Sequence, residues 1–65
     1  MSVGNVEVFE NVECKAETDM AILVDLYGDE KWIPKSVIAD ESEVIEKGDI
    51  GELVVSRWFA EKELA

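Results

Sequence analysis

The sequence predicts a small, mainly β domain in which four or five short strands form a strongly bent barrel. Runs rich in Val, Ile and aromatic residues alternate with charged residues, and turn signals containing Gly or Pro separate them. A chain of 65 residues also favours closure of the sheet, because a flat sheet would leave its edges unpaired. We therefore expect one domain spanning residues 1–65.

The charge of the chain narrows the classes of partner. Sixteen acidic residues stand against six basic ones, which gives a formal net charge of −10. This charge repels phosphate, so direct binding to DNA, RNA or an anionic membrane is disfavoured, and a basic protein surface is favoured. The same charge also keeps a small protein dispersed, and the sequence leaves both interpretations open.

Cysteine content and apolar run length indicate the compartment. Cys14 is the one cysteine, so it cannot form an intramolecular disulfide, and we expect it in the core. A small domain without disulfides indicates a reducing compartment, and no apolar run reaches transmembrane length. The chain does not start with a basic stretch followed by an apolar one. A cytoplasmic protein is expected.

The first strand is predicted over residues 3–14 and alternates in two pieces. Val6 and Val8 share one face, and Val12 and Cys14 repeat the pattern further along. The alternation breaks between the two pieces, which predicts a bulge or bend. The polar residues that follow Cys14 are typical of a turn.

The central hairpin is the strongest prediction. Residues 20–27 form an apolar strand, a polar turn containing Gly28 follows, and the chain returns through Trp32 to Pro34. Because proline cannot donate a hydrogen bond to a strand ladder, pairing should stop there. Residues 35–38 then fit a single helical turn followed by a brief strand.

The last third of the chain predicts one more strand and a short helix. A charged connection over residues 39–47 leads through a glycine-rich turn to a strand at residues 52–56. Good helix formers follow Ser56, a candidate N-cap, and Arg57 lies four residues before Glu61. We expect a C-terminal helix of one to two turns.

Two resemblances accompany this reading. The run W-I-P followed by a tight turn, over residues 32–38, resembles the end of an SH3 domain and implies an SH3-like barrel, with an OB-like barrel as the alternative. The acidic and aromatic motif with which SH3 domains line a proline-binding groove is missing, so that activity is not implied.

The chain is also similar to small acidic phage and prophage proteins of unassigned function. That similarity lies in W-I-P-K-S at residues 32–36 and in G-D at 48–49 followed by the strand and Trp at 53–58. It implies a phage setting and no particular chemistry.

No residue pattern predicts catalysis or a cofactor. The chain has no histidine, and its serines lie in no nucleophile motif. Pairs of carboxylates arise by chance at this acid content, and a domain this small has little room for a pocket that shifts their pKa. The glycines at 48 and 51 precede no Lys-Ser or Lys-Thr, and the nearby acids do not match a calcium loop. We expect a non-enzymatic protein without cofactor or metal.

The candidate partner-binding residues are acidic and aromatic. Trp32 is expected in the core. Trp58 and Phe59 are adjacent, so at most one points inward from a strand and the other is a candidate to contact a partner. Acidic residues recur along the first segment and crowd the connection after the hairpin. The predicted partner-binding residues are Asp40, Glu41, Glu43, Glu46, Asp49, Trp58 and Phe59.

The leading hypothesis is an acidic interaction module that binds a basic protein surface. Its sharpest form is a phage-encoded nucleic-acid mimic that inhibits a host defence or DNA-processing complex such as CRISPR-Cas. One alternative is an OB- or SH3-like accessory of phage replication or recombination that stacks single-stranded nucleic acid on its aromatics. A small structural or assembly subunit is the other, and a merely solvated acidic face also stays open.

Overall fold

Four antiparallel strands form one sheet. The computed structural model describes residues 5–64, so the predicted start of the first strand at Val3 lies outside the described residues. The sheet has the strand order β3-β2-β1-β4, and the prediction of a mainly β fold is confirmed. In chain order the strands are β1 (Val6–Glu17), β2 (Ala21–Leu26), β3 (Asp29–Pro34) and β4 (Ile50–Ser56).

The longest strand, β1, bends at the break that the sequence predicts. Between Phe9 and Val12 it carries one residue more than the paired stretch of β4, and Asn11 has a positive φ of 59° there. Asparagine tolerates this left-handed conformation better than most residues. The extra residue reverses the faces of the strand, so that Val8 is exposed whereas Val12 and Cys14 are buried.

The turn after β1 begins later than the polar sequence predicts. Instead of turning at residues 15–19, β1 continues to Glu17. A second bulge at Lys15 absorbs one extra residue, and pairing with β2 then resumes. The turn itself is built around Thr18, whose hydroxyl oxygen accepts the N–H of Ala21 at 3.1 Å.

The predicted hairpin is formed by β2 and β3, with its turn at Tyr27 and Gly28. Both residues have positive φ, 56° and 97°, as in a type I′ turn, whose twist matches that of the flanking strands. Glycine adopts this conformation freely, and the Asp25 carboxylate accepts the Gly28 N–H at 2.8 Å. The hydroxyl of Tyr27 donates to the backbone carbonyl of Glu10 at 2.8 Å and holds the turn against β1.

The segment after β3 links the two edges of the sheet. Pairing ends at Pro34, a 3₁₀ turn follows over Lys35–Val37, and Ile38 forms an antiparallel bridge with Val55 of β4. Because β3 and β4 lie at opposite edges, this bridge bends the sheet around its core. The predicted helical turn and brief strand are both present.

The core fills the inner face of the bent sheet. Cys14 is buried there, as predicted, but Trp32 is not: it is 51% exposed. Successive residues of a strand point to opposite faces, and Ile33 takes the inward position. The core cluster contains Val12, Cys14, Ile22, Val24, Leu26, Ile33, Val37, Val44, Leu53, Val55, Phe59 and Ala60.

The C-terminal helix is short, as expected. Arg57–Phe59 is α-helical and continues as a π-helical turn over Ala60–Leu64. Ser56 occupies the N-cap position without a side-chain hydrogen bond, and within the described residues Arg57 forms its ion pair with Glu7 of β1, at 3.4 Å. In the part of the chain that the structure describes, no helix combines the length and apolar character needed to cross a membrane.

Candidate protein-interaction surface

An apolar row crosses three strands on the outer side of the sheet. The register places Ala16 of β1 opposite Leu23 of β2, and Leu23 opposite Trp32 of β3. Directly opposed residues of antiparallel strands project from the same face and contact each other. Ala16 and Leu23 are half-buried, and Trp32 ends the row on the edge strand with about half of its surface in water.

A row of carboxylates runs beside the apolar row. Glu13 of β1 lies opposite Asp25 of β2, and Asp25 lies opposite Glu30 of β3. Two residues along a strand separate the rows, which corresponds to about 7 Å. The six residues Ala16, Leu23, Trp32, Glu13, Asp25 and Glu30 are named the Trp32 face below.

The carboxylate row lacks counter-charges within the described chain. Directly opposed like charges destabilise a sheet, by about 0.2–1 kcal/mol for each pair. Among residues 5–64 the carboxylates in ion pairs are Glu7 and Glu17, neither of which belongs to the row. Lys15, the bulge residue between the two rows, is the cation closest to them along β1. The fold therefore tolerates three adjacent acids without neutralising them.

The two edges of the sheet differ in how they are covered. Residues 39–49, named the acidic loop below, run along β4. The Ala39 N–H donates to the Val54 carbonyl at 2.8 Å, and the Val54 N–H donates to the buried Ser42 hydroxyl oxygen at 3.1 Å. In contrast, within residues 5–64 no hydrogen bond from outside the sheet reaches the backbone of β3. An uncovered edge of this kind can pair with another strand.

Asp49, a predicted partner-binding residue, holds the acidic loop together. One of its carboxylate oxygens accepts the N–H groups of Ile45 and Glu46, both at 3.0 Å. Such local bonds from a side chain to the backbone fix a turn. This carboxylate therefore has a structural role in the folded chain.

Glu43 has a similar structural role. Its carboxylate accepts the N–H of Glu52 at 2.9 Å, and its side chain packs directly over Gly51. Gly51 has a φ of 156°, and a Cβ at this position would collide with the Glu43 carboxylate. The positive φ favours glycine at this position, and a larger residue would also displace the Glu43 carboxylate.

The other three predicted acids of the loop are exposed. In the described chain the side chains of Asp40, Glu41 and Glu46 form no hydrogen bond or ion pair. Asp40 also lines a shallow groove with Lys35 and Ile45. The acidic loop thus contains both structural and free carboxylates, which the sequence does not distinguish.

The two adjacent aromatics beyond β4 have different environments. Phe59 is 7% exposed and anchors the C-terminal helix on the core, so of the two predicted partner-binding aromatics it is the one that points inward. Neighbouring residues on a helix point about 100° apart, and only one of them faces the core. Trp58 is 61% exposed and packs edge-to-face on Phe59, with ring centroids 6.0 Å apart. It follows the end of β4 that lies away from Glu43 and Asp49.

Two titratable groups among residues 5–64 have altered pKa values, and both are structural. Burial raises the pKa of the Cys14 thiol, which donates to the Ala16 carbonyl at 3.2 Å. The pKa of Glu17 is lowered, first because its carboxylate accepts a 2.7 Å hydrogen bond from Lys35 and next because it accepts the Lys47 N–H. Within residues 5–64, no group of three His, Cys, Asp or Glu side chains could hold a metal ion.

Sequence reasoning missed the Trp32 face for identifiable reasons. Trp32 and Ile33 are adjacent, as Trp58 and Phe59 are, and the argument applied to the second pair would have left one residue of the first pair outside as well. The opposition of Asp25 and Glu30 follows once the hairpin turn is centred on residues 27–28. The position of Glu13 gave no such signal, because it depends on a bulge.

Comparisons with known proteins give no relative of this chain. No protein-family model matches the chain, and neither curated proteins nor solved structures give a significant match.

Proposed function

We propose that this protein is a non-enzymatic interaction module that binds a basic surface of another protein. The observation that carries the proposal is the carboxylate row of Glu13, Asp25 and Glu30 beside the exposed indole of Trp32. The row lowers the stability of the sheet, and no cation of the described chain pairs with it. A basic partner supplies the missing counter-charges, and a half-exposed tryptophan is a typical anchor residue at protein interfaces.

The charge of the whole chain supports the same proposal. A net charge of −10 on 65 residues attracts a basic surface over distances of about a Debye length. Such steering accelerates association and suppresses binding to acidic partners. Binding should therefore be fast and should weaken steeply as the salt concentration rises.

In its sharper form the proposal is mimicry of nucleic acid. A groove that binds phosphates is basic by necessity, and a rigid acidic sheet can occupy it in place of a nucleic-acid backbone. We further propose the phage setting that the resemblance of the W-I-P-K-S run implies, in which the target is a host defence or DNA-processing complex. Its partner is then a nucleic-acid-binding protein, and the effect is inhibition.

A pull-down with defined competitors tests this proposal. The immobilised protein is incubated with host lysate at low salt and at about 0.5 M salt, where the Debye length falls to about 4–5 Å. We expect basic nucleic-acid-binding proteins to be retained at low salt, released at high salt and displaced by added duplex DNA. Retention that is equal at both salt concentrations contradicts the electrostatic proposal. Salt-sensitive retention that DNA does not displace contradicts the mimicry alone.

A second candidate function is supported by the exposure of both tryptophans. Half-exposed aromatics on a small β domain are the groups on which single-stranded nucleic acid stacks. The acidic row beside Trp32 opposes this function, because it repels the phosphates of a bound strand. Titration with an oligonucleotide decides between the two: quenching of tryptophan fluorescence supports stacking, and an unchanged signal contradicts it.

A further inference from the structure

The open edge of β3 indicates how a basic partner binds. We propose that the partner contributes an extended segment bearing arginines, which pairs with β3 as an additional strand and lays those arginines across the Trp32 face. This inference rests on the proposed function and deepens it, because it names the surface and the form of the partner.

The backbone supports strand addition at this edge and not at the other. In β4 the outward N–H and C=O groups of Val54 are already bonded to the acidic loop, and Ile38 bridges to Val55. No comparable cover lies on β3 within the described residues, and its residues 29–32 are all exposed. An edge strand presents unpaired hydrogen-bonding groups that an extended peptide satisfies.

The side chains of β3 specify which peptide fits. Alternate residues of an added strand lie on the Trp32 face, next to Glu30 and Trp32. A guanidinium group there donates to the Glu30 carboxylate and stacks on the indole of Trp32, which a lysine ammonium does less well. On the opposite face the added strand meets Asp29 and Lys31, whose charges cancel, and the core residue Ile33. The fitting segment therefore alternates arginine with small uncharged residues.

Charge argues against a second copy of this chain as the occupant. Two copies paired through β3 would bring two chains of net charge −10 together, with the Glu30 of each beside the acidic edge of the other. Like charges at such an interface weaken it. A cationic strand has the opposite charge, and it is the occupant that the electrostatics favour.

The probe is a synthetic peptide in which arginine alternates with threonine. It is compared with a lysine-threonine peptide of equal charge and with an arginine-threonine peptide whose backbone is N-methylated at every residue. Affinity is measured by calorimetry at low salt. We expect the arginine peptide to bind several-fold more tightly than the lysine peptide, and N-methylation to abolish binding because it removes the donors that pair with β3.

Single-tryptophan variants locate the site. Trp58→Phe leaves Trp32 as the only tryptophan, and Trp32→Phe leaves Trp58. We expect the arginine peptide to change the fluorescence of the first variant and not of the second. The two tryptophans have similar exposure, so each serves as the control for the other.

A matched pair of charge variants distinguishes binding at the Trp32 face from attraction by the net charge of the chain. Glu30→Gln should lower the affinity for the arginine peptide by about tenfold, since it removes a charge-assisted hydrogen bond. Glu63→Gln changes the net charge equally but lies exposed in the C-terminal π-helical turn, and it should weaken binding by less than about twofold. Circular dichroism and the unfolding midpoint of each variant confirm that the sheet is intact.

The outcomes distinguish failure of this inference from failure of the proposed function. Equal effects of the two Gln substitutions, a response from Trp58 alone, or full affinity of the N-methylated peptide would overturn strand addition at β3 while leaving a general electrostatic function. If neither cationic peptide binds and the lysate retains no basic protein, the proposed function itself fails. Concentration-dependent dimerisation in sedimentation that the peptide does not reverse would assign the edge to a second copy and overturn the inference.

Discussion

The acidic loop and the Trp32 face contain the same kind of residue in two different roles. In the loop, the Asp49 carboxylate accepts two backbone N–H groups and the Glu43 carboxylate accepts one. On the Trp32 face, Glu13, Asp25 and Glu30 stand opposite one another, and only Asp25 has a hydrogen bond, to its own turn. Asp49 and Glu43 stabilise the loop, whereas on the face the three acids repel one another and the turn bond of Asp25 is the one compensating contact among them.

This contrast shows why the density of acids along the sequence is a poor guide to a binding surface. The loop is the more acidic stretch of sequence, yet part of its charge covers the β4 edge. The face collects its charge from three strands that are distant in the chain. A carboxylate is available to a partner when the fold has not already given its oxygens a backbone donor.

The largest expected effect is the difference in stability between substitutions on the buried side and on the exposed side of β3. Ile33→Ala removes a fully buried side chain and should lower the free energy of unfolding by about 2–5 kcal/mol. Trp32→Ala removes a larger side chain that is half exposed, and it should cost about 1–2 kcal/mol. Urea unfolding followed by circular dichroism measures both. An equal or reversed order would mean that Trp32 is packed as a core residue and that the face is not free.

A somewhat smaller loss of stability is expected when the hydrogen bond between the acidic loop and β4 is removed. Ser42→Ala deprives the buried Val54 N–H of its acceptor and should destabilise the protein by about 2 kcal/mol. Ser36→Ala, at an exposed serine, is the matched control and should stay within about 0.5 kcal/mol of the parent. Equal unfolding midpoints for the two variants would show that the loop does not depend on this hydroxyl.

The most direct test of the contrast compares two substitutions that change the net charge equally. Asp49→Asn replaces a charged acceptor of two N–H groups with a weaker one and should destabilise by about 0.5–1 kcal/mol. Glu30→Gln relieves repulsion from Asp25 and should stabilise by about 0.2–1 kcal/mol. Thermal unfolding at low salt measures the direction in which each substitution shifts the midpoint. The contrast would be lost if both substitutions shifted the midpoint in the same direction.

The smallest effect should come from the ion pair that joins β1 to the 3₁₀ turn. The pKa of Glu17 is lowered by Lys35, so its contribution to stability is complete above its ordinary pKa and disappears as the pH falls through the lowered value. Glu17→Gln should therefore lower the urea midpoint slightly at neutral pH, and the difference should disappear at an acidic pH below the lowered pKa of Glu17. A difference that persists at the acidic pH would show that the side chain acts through packing instead of charge.

Much of the fold could be predicted because its signals are local. Pro34 ends β3 since it lacks an N–H, and the residues after it have room for only one helical turn. The bulge near Asn11 is visible as a break in alternation, and Gly28 marks the hairpin turn. In each case a few neighbouring residues restrict the backbone by sterics or by a missing donor, independently of the rest of the chain.

The candidate surface was decided by contacts between distant segments. Glu13 meets Asp25 only because the bulges of β1 set that register, and an error of one residue would turn Glu13 inward. The β3 edge is open and the β4 edge is closed because the acidic loop folds back on Val54 and not on the hairpin. The sequence by itself determined the existence of the strands, the end of β3 at Pro34 and the charge of the chain. Which carboxylates are used by the fold and which face a partner depended on tertiary structure, since hydrogen-bond donors arrive from residues far away in the chain.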